Sequence, residues 1–347
     1  MSGWFFLNHY TIHAIRMLTP IEVFERFNSL TVLIVGDVMI DRYVSGAVHR
    51  ISPEAPVPVV QHQSTEDRLG GAANVALNIR ALGATPLLCS VIGADGDGEA
   101  FLSLLPAQDL SSEGILSSSR RITTVKTRVM AGAQHLLRID HEITTPLDSA
   151  DAQALRERVF SLLDTRSVDV VLFQDYNKGT LAPALIASVI RRCQELDIPT
   201  AVDPKFHHFW AYQGVTLFKP NLKEIRAQLS VSVLPERSSL LEAAAYIRGQ
   251  LGNKMAMITL SEHGIFVEEN GEGWLLPTQP RPVADVSGAG DTVISVVSLG
   301  LALGLPAPVL GLLGNLAGGQ VCEQVGVVPV NKLQLLEEFV QIQVQTT

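Results

Sequence analysis

The stretch Asp285-Val286-Ser287-Gly288-Ala289-Gly290-Asp291-Thr292 sets two glycines and a carboxylate at the start of a long apolar run. If that run is helical, its first turn carries unpaired N–H groups and the positive end of a dipole, which together attract an anion. Glycine lets the backbone approach a phosphate with no Cβ in between. An aspartate at the same place could take a proton from an attacking hydroxyl. The combination suits phosphoryl transfer to an alcohol. Other readings stay open at this point. Asp291 could be an ordinary helix-capping residue. Gly288 and Gly290 match the first two glycines of a dinucleotide-binding fingerprint, but Val293 stands where the third belongs. The preceding Gln279-Pro280-Arg281-Pro282 also reads poorly as a core strand. No GxxxxGK[ST] stretch occurs, which excludes a P-loop, and the HRD and DFG signatures of protein kinases are missing.

Such a turn needs a frame to hold it. Residues 31–36 (TVLIVG) form a short β-branched run ending in glycine, the pattern of a buried parallel strand. After Gly70-Gly71, the residues Ala72, Val75, Ala76, Ile79 and Leu82 fall at helical spacing, and Gly83 closes that helix. Residues 87–92, 168–173, 199–203, 215–218 and 255–260 read as further strands, with helical patterns at 155–163 and 184–196. The alternation predicts an α/β fold, a mostly parallel sheet with helices on both faces. In such sheets ligands bind at the carboxyl ends of the strands, and Asp37, Asp175, Asp203 and Asn221 each follow one. Two regions break the rhythm. Residues 44–63 are rich in proline, and 122–131 with 135–140 read as a hairpin around Gly132-Ala133. These pieces predict a small β-lid, from about 43–63 and 120–140, on a single domain spanning 17–347.

Composition narrows the function. A chain of 347 residues, 47% of them hydrophobic, has material for a large core. A net charge of −9 argues against nucleic acid and against an anionic membrane surface. Cys89, Cys193 and Cys322 are scattered among apolar residues, as buried thiols of a reducing, cytoplasmic compartment would be. The nine histidines include no HExxH, and the pair His207-His208 reads as a loop. Residues 1–16 lack a basic region before an apolar run, so they are expected to be a poorly ordered extension before Met17 rather than a signal peptide. Residues 293–314 are uncharged and long enough to cross a bilayer, but Gly304-Leu305-Pro306 splits them, and two buried helices are expected instead.

Taken in order, these residues resemble the ribokinase-like (PfkB) family of sugar kinases, from about Val32 to the C-terminus. The resemblance rests on Gly36-Asp37…Asp41, Gly70-Gly71-Ala72-Ala73-Asn74, Gly93-Ala94-Asp95…Gly98, Asn221-Leu222-Lys223-Glu224 and the stretch from Asp285 to Thr292. It implies a three-layer αβα sandwich with a β-lid. A narrower resemblance, to D-glycero-β-D-manno-heptose-7-phosphate kinases, lies in Arg50-Ile51-Ser52-Pro53-Glu54-Ala55-Pro56-Val57-Pro58-Val59. Thr124-Val125-Lys126-Thr127-Arg128, Leu137-Arg138-Ile139-Asp140, Asp175-Tyr176-Asn177-Lys178-Gly179 and Asp203-Pro204-Lys205 agree with it. Many such kinases are fused to an adenylyltransferase with an HxGH motif; none occurs here, so a stand-alone kinase is expected. Ser287 and Gly314 depart from the commoner threonine and alanine without removing a functional group.

The resemblance implies a role for each residue. Asp291 would be the general base, with the N–H groups of Gly288, Ala289 and Gly290 stabilising the transferred phosphoryl. Asp37, Asp41 and Asn74 would meet sugar hydroxyls, with Gly70 and Gly71 giving backbone access; Asp37 read alone could instead be a strand-end turn residue. Asn221 and Glu224 would order ATP and Mg²⁺, Glu224 through water; Glu224 read alone could equally be a first-turn helix acid. Lys205 would approach the ATP phosphates and Asn315 the adenine. Lys126, Arg128, Arg138 and Lys178 are candidates for the phosphate of the substrate, or else ordinary surface charges. The expected partners are ATP, a sugar phosphate and a second copy in a homodimer, and the resemblance also admits a monovalent cation. The implied reaction makes the 1,7-bisphosphate for ADP-heptose and lipopolysaccharide synthesis. The alternatives are a related kinase for another sugar or sugar phosphate, and a catalytically silent sugar-binding relative.

Overall fold

The computed structural model describes residues 18–132 and 134–346, without the side chains of 343–346. The expected extension at 1–16 lies outside them, as does the hairpin residue Ala133. The chain begins with α1 (Pro20–Phe27), β1 (Thr31–Gly36), β2 (Val38–Ile51), β3 (Pro58–Gly71), α2 (Ala72–Ala81), β4 (Thr85–Gly93), α3 (Gly96–Ala107) and β5 (Ile115–Ser118). It continues through β6 (Val125–Ala131), β7 (Gln134–His141), α4 (Ser149–Thr165), β8 (Val170–Gln174), α5 (Pro183–Glu195), β9 (Thr200–Asp203) and β10 (Leu217–Phe218). The last third holds α6 (Leu222–Gln228), α7 (Arg237–Leu251), β11 (Met255–Thr259), β12 (Ile265–Glu269), β13 (Glu272–Leu276), α8 (Ala289–Ala302), α9 (Ala307–Cys322) and α10 (Lys332–Thr346).

Nine strands form the main sheet in the order β13-β12-β11-β10-β9-β8-β1-β4-β5. From β11 to β5 every pairing is parallel; β12 and β13 extend the sheet as an antiparallel hairpin. The alternation along β1 shows why helices cover both faces. Val32 and Ile34 enter one buried cluster, with residues of α1, α2, α8, α9 and α10. Leu33 and Val35 enter the other, with residues of α4, α5 and α7. Successive strand side chains point to opposite faces, so an all-apolar strand requires a helical layer on each side. The result is a three-layer α/β/α sandwich. No helix among the described residues is long and apolar enough to cross a membrane. The apolar run at 293–314 divides into α8 and α9 at the expected break.

A second sheet, ordered β3-β2-β6-β7, continues the chain from the carboxyl end of β1. It is larger than the sequence predicts. β2 starts two residues after β1 and β3 runs directly into α2, so the sheet reaches Val38 and Gly71 rather than stopping near 43 and 63. The proline-rich stretch at 50–59 is the exposed tip of the β2–β3 hairpin, where Ser52 N donates to Val57 O.

At the end of β1 the strands come unusually close. A Cβ on Gly36 would lie 2.1 Å from the Gln174 carbonyl oxygen of β8. Only glycine fits there without parting the two strands. Gly36→Ala is therefore expected to destabilise the protein by about 1–3 kcal/mol, as overpacked cores do. Urea unfolding measures it, and an unmoved midpoint would show that the strands yield freely.

Candidate active site

The parallel strands end at one edge of the sheet, and the chemistry collects there. Asp37 follows β1, Gln174 ends β8, Asp203 ends β9, Lys219 and Asn221 follow β10, and Thr259 ends β11. The first turn of α8 closes the opposite wall. Together with Tyr176 and Lys205 these residues, Asp37 and Gln174 apart, border a cleft of about 170 Å³ that Gly288, Gly290 and Asp291 also line.

Gly288 is the N-cap of α8 and adopts φ 80, a left-handed conformation that glycine takes without strain. Asp285 fixes the turn before it, accepting from the Ser287 N–H and hydroxyl and from Gly326 N. The Ala289 N–H makes a long 3.3 Å bond to Val286 O, so of the three N–H groups named from the sequence it is already engaged. Gly288 and Gly290 border the cleft. Asp291 is 7% exposed in the first turn, and three side chains donate to its carboxylate. Asn74 Nδ2 donates to Oδ2 at 2.7 Å, Tyr176 Oη to Oδ1 at 2.6 Å and Gln174 Nε2 to Oδ1 at 3.1 Å. Burial pushes the Asp291 carboxyl up to about 6, against the lowering effect of Tyr176 and Asn74. A carboxylate poised there is ionised at neutral pH yet basic enough to accept a proton. The Asn74 Oδ1 is a buried acceptor without a protein partner, so this residue has an oxygen to offer a hydroxyl donor beside Asp291.

The other wall carries cations. Lys219, 2% exposed, lies 3.1 Å from Asp203, and Lys205 reaches Asp203 at 3.5 Å and Glu224 at 3.0 Å. For Lys205, burial lowers the ammonium pKa, but Asp203 and Glu224 together raise it further, so it stays charged. Asp203 is likewise held below the usual carboxylate range by Lys205 and Lys219, despite its burial. Asn221 and Glu224 start α6 as a reciprocal capping box: Asn221 Oδ1 accepts from Glu224 N, and Glu224 Oε2 accepts from Asn221 N, each at 2.8 Å. The first-turn reading of Glu224 is therefore met: it caps its helix and also pairs with Lys205. No cluster of three or more His, Cys, Asp or Glu groups suited to a metal occurs among the described residues. Asn221 and Glu224 are the oxygen-bearing side chains at the start of α6 that could meet a magnesium ion carried by phosphate oxygens and water.

Asp37 takes the strand-end turn position that its sequence also allowed. Its buried carboxylate accepts from the N–H groups of Tyr176 at 2.8 Å, Lys178 at 3.0 Å and Thr180 at 3.0 Å. A carboxylate has about four acceptor sites, so most of its capacity anchors the 176–180 loop. Asp175 braces the same loop through Asn177 N and the Tyr212 hydroxyl; burial, and then the charge of Asp37, pushes its carboxyl up to about 6. Asp41 also has a partner, Arg128 Nη1 at 2.6 Å, and a Cβ on Gly70 would strike its Oδ2. Gly71, at φ 62, caps α2 and lets Asn74 face Asp291.

The four candidate phosphate cations converge in part. Glu142 bridges Lys178 at 2.8 Å and Lys126 at 3.1 Å, linking the small sheet to the loop that Asp37 holds. Asp140 bridges Lys126 and the more exposed Arg138. Asn315 stands apart, donating to the carbonyls of Leu276 and Pro277 at the end of β13. The sequence reading missed Gln174 and Lys219 and gave Tyr176 no role. A lysine directly after the apolar strand 215–218 was the available signal for Lys219.

The profile of the pfkB family carbohydrate kinases matches residues 29–332. The Bifunctional protein HldE of Syntrophotalea carbinolica is 40% identical over 321 residues, covering 92% of this chain and 65% of that protein. That of Methylobacillus flagellatus is 40% identical over 308 residues, covering 89% and 63%. The chain thus spans less than two thirds of the length of these relatives. Among solved structures, phosphofructokinase-2 from Escherichia coli in complex with potassium superposes with a TM-score of 0.75 at 18% identity, covering 90% of this chain and 99% of that one. Arabidopsis thaliana ribokinase complexed with ribose and ATP gives 0.66 at 16% identity, covering 89% and 98%. These likenesses establish the ribokinase-like fold.

Two outcomes follow from the cleft. Asp291→Asn is expected to lower kcat by roughly 10²–10⁴, the usual loss for a general base, while the melting temperature stays near wild type. More than half of the wild-type kcat would remove Asp291 from that role. In the intact protein, activity should fall as pH drops below about 6, where Asp291 becomes protonated. A pH–rate profile flat down to pH 5 would contradict this.

Proposed function

The chain belongs to the pfkB family of carbohydrate kinases, and from that premise we propose that it phosphorylates D-glycero-β-D-manno-heptose 7-phosphate at O1 with ATP, giving the 1,7-bisphosphate for ADP-heptose and lipopolysaccharide synthesis. The observation that carries the reaction type is Asp291, a buried carboxylate in the first turn of a glycine-capped helix, facing a lysine-lined cleft. Asp291 takes the proton from the anomeric hydroxyl. The O1 oxygen then attacks the γ-phosphorus, the bond to the bridging oxygen breaks, and ADP leaves. The proton passes from Asp291 to solvent after the product departs. The helix start at Gly288 and Gly290 and the ammonium groups of Lys205 and Lys219 stabilise charge on the phosphoryl oxygens. Magnesium, when bound with ATP, offsets phosphate charge, and Asn221 and Glu224 are the residues that would hold it. Asn74 receives a sugar hydroxyl through Oδ1.

Support for the heptose phosphate comes from the small sheet. It acts in this proposal as the lid, and its hairpin tip is the 50–59 stretch that resembles heptose-phosphate kinases. Lys126 and Arg128 on β6, with Lys178 on the anchored loop, supply cations 14–19% exposed; Lys126 and Lys178 share Glu142, and Arg128 pairs with Asp41. A phosphate dianion can take over those carboxylates' hydrogen bonds. A homodimer, cytoplasmic location and a monovalent cation belong to the same proposal. For the dimer, Ile51, Val57, Leu137 and Ile139 on the lid are more than half exposed, an apolar surface that a second copy would cover.

The test compares the phosphorylated and unphosphorylated heptose. ³¹P NMR should show a new anomeric phosphate only with the 7-phosphate and ATP. Arg128→Ala and Lys178→Ala should each lower kcat/KM for the 7-phosphate about 10- to 150-fold, the worth of one charged hydrogen bond, and change the unphosphorylated sugar little. Equal losses on both sugars would assign these residues to support of the lid. Full turnover of the unphosphorylated sugar by the wild type would point to a different sugar substrate.

A further inference from the structure

The Tyr176 hydroxyl makes the shortest of the three contacts to Asp291, and the fold goes to some length to place it. Tyr176 lies two residues beyond β8, in the loop whose N–H groups converge on Asp37. Its own N–H is one of those three, so the backbone of this residue is tied to the end of β1. Its ring lies beneath the Lys205 ammonium, 5.5 Å from Nζ to the centroid. From there the hydroxyl donates to Oδ1 of Asp291 at 2.6 Å, the oxygen that Gln174 also meets at 3.1 Å. Asn74 Nδ2 occupies the other oxygen from the opposite side.

We propose that Tyr176 is a positioning residue for the base, aiming Asp291 through its hydroxyl while Asp37 fixes the loop that carries it. The inference rests on the reading of Asp291 as the base. The phenol donates to a carboxylate and gains charge assistance only while that carboxylate is ionised. The contact therefore favours the form able to accept a proton, and it sets the plane of the carboxylate with Asn74 on the far side. The other charged groups facing Asp291 are Asp203, which raises its pKa, and Lys205, which lowers it; Lys219 lies beyond Gly290. None of these is altered when only the phenol oxygen is removed. Tyr176 stands first among the groups that oppose the effect of burial on Asp291.

Tyr176→Phe keeps the ring under Lys205 and deletes the donor. Loss of a charged hydrogen bond is expected to move the acid limb of the kcat profile upward by about one pH unit. The rate should then fall about fivefold at pH 6 and less than about twofold at pH 8, with KM for ATP within about twofold of wild type. A ¹³C titration of the Asp291 carboxyl in ligand-free protein should rise by the same amount. Because that reading needs no substrate, it separates this inference from the kinase assignment. A wild type inactive on every sugar phosphate would end the assignment, whereas an unmoved titration in the variant would end the inference. Should Tyr176→Phe fold poorly, 3-fluorotyrosine at position 176 retains the shape and strengthens the donor. The titration must then move down, and an unmoved one overturns the proposal.

Discussion

One buried carboxylate sets the geometry on which the rest of the cleft depends. Asp37 gathers three backbone N–H groups from a five-residue loop onto the end of β1. Three contacts on one side chain leave the loop one arrangement. That arrangement sends Tyr176 to Asp291 and Lys178 to Glu142, so a single anchor positions a side chain at the cleft carboxylate and a cation beside the small sheet. Arg121 clamps the loop from outside through the carbonyls of Lys178 and Thr145. Gly36, which lets β1 and β8 approach, is what brings the anchor within reach.

The same economy divides labour between two carboxylates that share one amide. Gln174 Nε2 lies 3.1 Å from Asp291 and 3.5 Å from Asp203. Lys205 and Lys219 outweigh burial at Asp203 and keep it a fixed anion, which in turn holds the two lysines at the cleft. At Asp291 burial prevails over the donors, and the carboxyl rises to about 6. Environments that drive two like groups apart in this way give one a structural charge and the other a proton-transfer role.

Much of this was legible in the sequence, and the parts that were not have a common cause. The β-branched runs and the helical spacing at 72–82 announced the parallel sheet and its first crossover helix because periodicity is a local signal. The glycine turn at 285–292 was read for the same reason. The β12–β13 hairpin was overlooked although Asn270-Gly271, both at positive φ, is a favoured two-residue hairpin turn. The lid was underestimated because β2 and β3 carry polar, exposed residues toward the tip and buried ones only near the sheet edge. Gln174 and Tyr176 were beyond reach for another reason. Their partner Asp291 is more than a hundred positions away in the chain. A contact of that separation exists only once the strand order is set. Asp37 showed the reverse: its place after a strand was plain, but its partners were backbone groups that no residue identity reveals.

Under the proposed function, the pairing of the small-sheet cations has a consequence for how a sugar phosphate arrives. Lys126, Arg128, Arg138 and Lys178 face Asp41, Asp140 and Glu142, four positive groups against three negative. The cluster therefore projects about one net charge into solvent, on a molecule whose total is −9. Such a surface offers little long-range pull on a dianion, so encounter is governed by ordinary diffusion rather than by steering. Discrimination is then exercised after contact, when the ligand displaces carboxylates from their lysines, and it is expressed in how long the sugar stays rather than in how fast it comes.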